Sequence, residues 1–240
     1  MPHTLLISDL HLGVDHPGSM VLFRRFIAEY APQAEALYIL GDLFEFWAGD
    51  DDLWDELPAQ VIAALRNLAQ YGTRVYLLHG NRDLLMGKTL AEACHATLLR
   101  DPILIDLYGT PTLLSHGDIL CTRDTEYQRY RAQVHDATFQ QLFLAKPLAE
   151  RKAYIEQLRL RSTLEKRNKD SAIMDVSDSA VAALLREYHY PRLIHGHTHR
   201  PACHEHIVDG HRCKRWVLGD WNQQGSALYC DAQGCRAVKV

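Results

Sequence analysis

Short apolar runs recur along the first half of the chain, and each ends in a cluster of polar residues. Thr4 to Ile7, Ala36 to Leu40 and Arg74 to Leu78 have the length and composition of strands, and the first is apolar on both faces, as in the middle of a sheet. Between them the spacing of Leu22, Phe23, Phe26 and Ile27 predicts a helix from Met20 to about Tyr30, capped by Ser19. A second helix is expected from about Pro58 to Tyr71, stopped by Gly72 in a left-handed cap. Asp50-Asp51-Asp52 reads as a solvated acidic run that starts a helix. Strand, helix, strand, helix, strand, with polar residues at each carboxyl end, is the pattern of a layered α/β sheet with its site above the strand ends.

Beyond Leu78 the pattern changes. A short helix is expected near Leu84 to Cys94, and Ile103 to Leu107 with Thr112 to Leu114 reads as a hairpin. From Glu126 to about Asp170 the periodicity is helical throughout, broken at Pro147, which predicts an insertion between sheet elements. Ser177-Asp178 starts another helix, Pro191 forbids its continuation, and Arg192 to Ile194 is a strand. The remainder is β-rich, with strands near Arg215 to Leu218, Ala227 to Cys230 and Ala237 to Val240 and a turn at Asp209-Gly210. Two β-rich halves flanked by helices predict a four-layer α/β sandwich more than an open sheet. The expected organisation is one domain over 1–240 with a helical cap inserted at 122–170.

At 240 residues and 47% hydrophobic content the chain supports one sizeable core. A formal net charge of -4 provides no global basic field for nucleic acid. With no secretory pattern and no bilayer-length apolar run, a cytoplasmic protein is expected, soluble or attached to a membrane surface. The six cysteines form no CxxC pair and are expected to be reduced.

The residues at the strand ends carry the chemistry. Asp9 and His11 follow the first strand, and share a face if its geometry persists. Asp42, Asn81, His116, His197 and His199 stand in Gly41-Asp42, Gly80-Asn81-Arg82-Asp83, His116-Gly117 and Gly196-His197-Thr198-His199. All seven are oxygen or nitrogen donors, enough for two metal ions if Asp42 bridges them with its two oxygens. Without cysteine the set suits Mn, Fe or Zn.

These motifs, in this order, resemble those of the calcineurin-like metallophosphoesterases over nearly the whole chain. The resemblance implies a β-sandwich flanked by helices and two divalent ions. Asp9, His11, Asp42 and His199 would hold one ion; Asp42, Asn81, His116 and His197 would hold the other. His195 has no ligand role in the pattern. Such an ion pair, roughly 3.5–4 Å apart, lowers the pKa of a water and clamps the oxygens of an in-line phosphoryl displacement.

Many members of that family carry histidine after the asparagine, where this chain has Arg82. Arginine does not donate a proton near neutral pH but grips phosphate oxygens, so a leaving group already stable as an anion is expected, such as the phosphate released from a pyrophosphate. Within the insertion, Phe139, Leu142, Phe143, Leu144, Leu148, Tyr154, Ile155 and Leu158 form apolar stripes beside the basic residues Arg151, Lys152, Arg159, Arg161, Lys166, Arg167 and Lys169. The expectation is a lid whose basic side meets phosphate or lipid headgroups and whose apolar side receives acyl chains.

More closely, Leu40 to Glu45, Asp50 to Asp52, His79 to Asp83, Leu120 to Thr122, Ala172 to Val176 and Ile194 to Pro201 are similar to the UDP-2,3-diacylglucosamine hydrolases of the lipid A pathway. That resemblance implies release of UMP and 2,3-diacylglucosamine 1-phosphate from UDP-2,3-diacylglucosamine, Mn2+ as the working metal, and peripheral attachment to the cytoplasmic face of the inner membrane. It implies catalytic roles for Asn81, Arg82, His116 and His197, and substrate contacts at Asn81, Arg82, Asp124, Ser162, Lys169 and His197, with Tyr127 a looser candidate. Four residues after Ser162 the family pattern has asparagine where this chain has Lys166, which leaves the role of Lys166 open. No nucleic-acid or obligatory protein partner is expected. The rival readings are a phosphodiesterase or nucleotide pyrophosphatase acting on a non-lipid substrate, a protein phosphatase, and a binding protein descended from an inactive hydrolase.

Overall fold

The computed structural model describes residues 1–168 and 173–240, with side-chain surroundings for 1–160 and 173–240. Its strands are β1 (Thr4–Ile7), β2 (Ala36–Leu40), β3 (Arg74–Leu78), β4 (Ala96–Leu98), β5 (Ile103–Leu107), β6 (Thr110–Ser115), β7 (Arg192–His195), β8 (Ala202–Val208), β9 (His211–Val217), β10 (Ser226–Asp231) and β11 (Gly234–Lys239). The helices are α1 (Pro17–Glu29), α2 (Glu56–Asn67), α3 (Lys88–Ala93), α4 (Thr125–Val134), α5 (Ala137–Leu144), α6 (Leu148–Asn168) and α7 (Asp178–Glu187). One sheet runs β11-β10-β1-β2-β3-β4 and the other β5-β6-β7-β9-β8. In the first, β1 to β4 are parallel, as right-handed crossovers through α1 and α2 require.

The alternation of side chains along each strand builds the layers. Leu6, Leu40 and Leu78 face Leu114, Ile194 and Leu107 between the sheets. Ile7, Ile39 and Leu77 point the other way, into the cluster that buries Phe23, Phe26 and Leu65 of α1 and α2. On the outer face of the second sheet, Leu113 and Leu193 pack against Val181 and Leu185 of α7. The result is the expected helix–sheet–sheet–helix sandwich, with a helical block carried between β6 and β7.

Several local expectations are corrected. The first helix starts at Pro17 rather than Met20, and the Ser19 hydroxyl donates to Trp221 O instead of capping it. Proline is pre-set for a first helical turn, which explains the earlier start. The expected break at Pro147 separates α5 from α6, and among the described residues a second break divides the block further, where Asp136 caps α5 by accepting from Phe139 N at 2.8 Å. Strands β4 and β8 were not foreseen; β8 is exposed along most of its length and carries little apolar signal. Cys230 and Cys235 are not free thiols: they stand opposite each other in the β10–β11 hairpin and form a disulfide. Gly72, at φ 81°, is the left-handed cap expected of it.

The acidic run is bonded along its length, with Asp51 exposed and Asp52 buried. Asp50 accepts from Trp47 Nε1 at 3.1 Å, Gly87 N at 2.8 Å and Leu90 N at 2.9 Å, so it ties the start of α3 to the loop after β2. Asp51 receives the Arg151 guanidinium, and Asp52 and Asp55 share the Lys152 ammonium, each at 2.5 Å. Asp51, Asp52 and Asp55 fasten α6 to the core, which also corrects the reading of Arg151 and Lys152 as headgroup-facing. Arg151 is only 2% exposed and also donates to Ala48 O and Lys146 O. Arg159 turns inward to Glu45. Arg161, Lys166, Arg167 and Lys169 lie outside the described side chains.

Candidate active site

The loops after β1 and β2 run together above the sheet. Asp9 N donates to Gly41 O at 3.1 Å, His11 N to Asp42 O at 3.0 Å and Leu12 N to Leu43 O at 3.0 Å. Strand geometry does not persist past Ile7, which corrects the reason given for Asp9 and His11 sharing a face. Instead Asp9, His11, Asp42, His197 and His199 all hold positive φ, between 48° and 67°. Such backbone is uncommon for non-glycine residues, and its concentration here marks a site where the fold overrides local preference.

Two glycines admit the close approach. A Cβ on Gly80 would stand 2.1 Å from Asp42 Oδ1, and one on Gly196 would stand 2.4 Å from Asp9 Oδ2. Around them the donors converge in two overlapping groups, Asp9 with His11 and His199, and Asp9 with Asp42 and His116. His199 Nε2 lies 3.3 Å from Asp9 Oδ1, and His11 Nε2 lies 3.7 Å from Asp42 Oδ2. The other Asp42 oxygen faces His116 Nε2 at 3.9 Å, so this carboxylate spans both groups. Asn81 Oδ1 is 3.1 Å from His116 Nε2. The His197 ring stands beside these, 5.0 Å from His116 centroid to centroid, while its backbone N–H donates to Asp9.

This donor set fits a pair of cations. The Nδ1 side of His11 faces Glu45 at 3.0 Å, which favours the proton on Nδ1 of that ring. His11 Nε2 and His199 Nε2 converge across 3.4 Å beside oxygens of Asp9 and Asp42, where a cation can take the place of a shared proton. His116 is oriented in the same sense, with Nδ1 2.9 Å from Leu40 O and Nε2 turned to the site.

The electrostatics agree. Burial would push the Asp9 carboxyl up, but the His199 hydrogen bond and the charges of His116, His199 and His11 outweigh it and hold the group below the usual carboxylate range. Burial opposes the charged form of His116, yet Asp42, Asp9 and Asp118 raise its pKa to about 9. Surplus negative charge draws protons onto His11 and His116, and a divalent ion would replace those protons.

Four further carboxylates support the site without having been singled out from the sequence. Asp83, fully buried, accepts from Gly80 N at 2.8 Å, Leu43 N at 2.7 Å, Asp42 N at 3.2 Å and Phe44 N at 3.3 Å, locking two ligand loops together. Asp101 accepts from His116 N at 2.9 Å. Asp118 accepts from Tyr127 Oη at 2.7 Å and Arg131 Nε at 2.8 Å, tying α4 to the loop after β6. Glu45 lies between His11, Arg82 and Arg159, and although burial opposes its charge, the His11 hydrogen bond and those cations bring its pKa down to about 2. The adjacency of Asp83 and Asp118 to the Gly-Asn-Arg and His-Gly motifs was the only sequence signal for them.

A cavity of about 720 Å³ opens over the donors. Asn81, Arg82, Asp124, Tyr127, His197 and His199 line its polar end, and Phe139, Phe143, Tyr154, Ile155 and Leu158 its apolar walls. Asp124 also caps α4, accepting from Tyr127 N at 3.1 Å. Leu142 and Leu144, read from the sequence with the apolar stripe, are exposed instead. Ser162, Lys166 and Lys169 lie outside the described side chains. His195 is fully buried, bonded to Gly196 O at 2.9 Å and Arg215 Nη1 at 3.0 Å, away from the donors.

Residues 2–201 match the family model of the calcineurin-like phosphoesterases. A UDP-2,3-diacylglucosamine hydrolase of Aromatoleum aromaticum is 51% identical over 96% of this chain and 94% of its own. That of Aeromonas hydrophila is 48% identical over 95% and 94%, and that of Edwardsiella ictaluri 48% over 99% and 92%. With the two-group donor set at the strand ends and a match over most of its length, the chain belongs to the calcineurin-like phosphoesterase family.

Proposed function

We propose that this chain hydrolyses UDP-2,3-diacylglucosamine to UMP and 2,3-diacylglucosamine 1-phosphate, by attack of water on the phosphorus nearer uridine. The observation that carries the reading is one cavity with a donor-rich end and long apolar walls, which suits a phosphate ester bearing acyl chains. Identity near one half with curated hydrolases of that name supports the same substrate.

In this reading Asp9, His11, Asp42 and His199 hold one divalent ion and Asp42, Asn81, His116 and His197 the other, with Mn2+ the working metal. When bound, such a pair lowers the pKa of a water and offsets charge on the phosphoryl oxygens. Asn81 and His197 also face substrate. Arg82, whose backbone N–H donates to Asp42 Oδ1 at 2.8 Å, starts from a fixed position and presents its guanidinium to the pyrophosphate. The departing sugar phosphate is stable as an anion and needs no proton from the protein, consistent with arginine at this place. Asp124 and Tyr127, with Ser162, Lys169 and Lys166, are assigned to the headgroup path.

Residues 122–170 act as the cap, with α5 and α6 supplying the acyl-facing walls. Among the described residues no helix is long and apolar enough to cross a membrane. The proposed location is peripheral, on the cytoplasmic side of the inner membrane. The test is UMP release with Mn2+ from UDP-2,3-diacylglucosamine and from its unacylated UDP-sugar parent. Strong preference for the acylated compound is expected. Equal turnover would keep a nucleotide pyrophosphatase and remove the lipid, and no turnover of either would overturn the reading.

A further inference from the structure

Glu45 is 8% exposed, and the proposed reaction assigns it no contact with metal or substrate. Its backbone N–H donates to Leu12 O at 3.0 Å, so the pairing of the two loops sets its side chain beside His11. The two carboxylate oxygens then serve different elements. Oε2 lies 3.0 Å from His11 Nδ1. Oε1 lies 3.2 Å from both Nε and Nη2 of Arg159 in α6, and 3.7 Å from Nη1 of Arg82.

Arg159 is held on both sides of that contact. Its Nη1 donates to Glu156 of the same helix at 2.8 Å, its Nη2 reaches the exposed Asp15 of the loop after β1 at 3.4 Å, and its guanidinium lies 5.5 Å from the Phe46 ring centre. One buried carboxylate thus touches a candidate metal ligand, the phosphate-facing arginine and the cap helix.

We propose that Glu45 is a positioning residue that registers the cap against the metal centre: one oxygen orients His11, and the other holds Arg159 and Arg82. A carboxylate at Nδ1 selects the tautomer that offers Nε2 to a metal, and loss of such a partner commonly weakens metal binding 10–100-fold. The Arg159 contact sets the height of α6 over the cavity, so the acyl-facing wall and the metal ligand share one support. This deepens the proposed function and rests on it only for the substrate arm of the test.

The full chain serves for the experiment, as wild type, E45A, E45Q, R159M and E45A/R159M, each checked for native circular dichroism. Mn2+ binding is read by electron paramagnetic resonance without substrate. E45A is expected to raise the Kd of one of two ions by about 10–100-fold. E45Q keeps an acceptor oxygen for His11 and the size of the side chain, and is expected to restore affinity to within about threefold of wild type while still losing its grip on the arginines. In the substrate arm, R159M and E45Q both raise KM for the acylated compound, and E45A/R159M raises it no further than E45A. Wild-type Mn2+ affinity in E45A, wild-type KM in E45Q, or KM effects that multiply in the double variant would each overturn the proposal. Should the wild type leave the lipid nucleotide intact, the substrate reading fails while the Mn2+ arm still decides the orientation of His11.

Discussion

Gly80→Ala tests the geometry of the donor cluster most directly. The added methyl would meet Asp42 Oδ1 at 2.1 Å and Asp42 N at 2.3 Å. Carbon atoms settle about 3.5 Å from their neighbours, so the contact must open by over 1 Å. Asp42 has little freedom to give way, because its Oδ1 accepts from Arg82 N at 2.8 Å and its backbone N–H donates to Asp83 at 3.2 Å. The displacement therefore passes into the carboxylate that spans both donor groups. A misplacement of about 1 Å at a reacting centre costs on the order of 100-fold in rate, or about 2.7 kcal/mol in the barrier. Global stability should fall by only about 1–3 kcal/mol, as for other overpacked sites. The assay pairs kcat at saturating Mn2+ with Mn2+ affinity and a urea titration. G80A with kcat and affinity both within threefold of wild type would show that Asp42 tolerates the shift and would refute the bridging argument.

Arg82→Ala should remove about 2–4 kcal/mol of transition-state stabilisation, read as a drop in kcat/KM, if its guanidinium grips the pyrophosphate as other charged donors do; a loss below threefold would return it to a packing role. Arg151→Met should strip the buried donors from Ala48 O and Lys146 O and cost roughly 2–4 kcal/mol in urea unfolding, with faster proteolysis around α5. An unchanged midpoint would mean that Lys152, Arg159 and the apolar face hold α6 without Arg151. His195, which burial and the Arg215 charge bring down to about 4 from 6.5, is neutral in the fold and protonated more readily in the unfolded chain. Its contribution is complete above pH 6.5 and lost as pH falls toward 4, about 2 kcal/mol by pH 5. The unfolding free-energy difference between wild type and H195Q, measured without metal, should therefore narrow between pH 7 and pH 5; a constant difference would contradict a buried neutral imidazole.

The alternation of Ile7, Ile39 and Leu77 with Leu6, Leu40 and Leu78 was legible because a buried strand must be apolar on both faces, and this placed three strands and the layer order. The donors were legible because they sit at strand ends beside glycine. Elsewhere local pattern was a poor guide. The β8 strand is a partner of β9 at an edge, so its residues need no apolar face. Asp50, Asp51 and Asp52 look solvated in sequence, since carboxylates usually are, and only contacts with α3 and α6 made anchors of them.

The sequence by itself determined which side chains can bind metal, which strands are buried and that Arg82 stands where a proton donor is common. Those properties belong to residue type and short-range spacing. Tertiary structure alone decided that Asp9, His11, Asp42, His197 and His199 adopt left-handed backbone, that Asp83 gathers four N–H groups, and that Glu45 links His11 to Arg159, which lies 114 positions beyond Glu45. These depend on loops brought together by sheet pairing and on the exclusion of water around buried charge, and neither is encoded in any one stretch of chain.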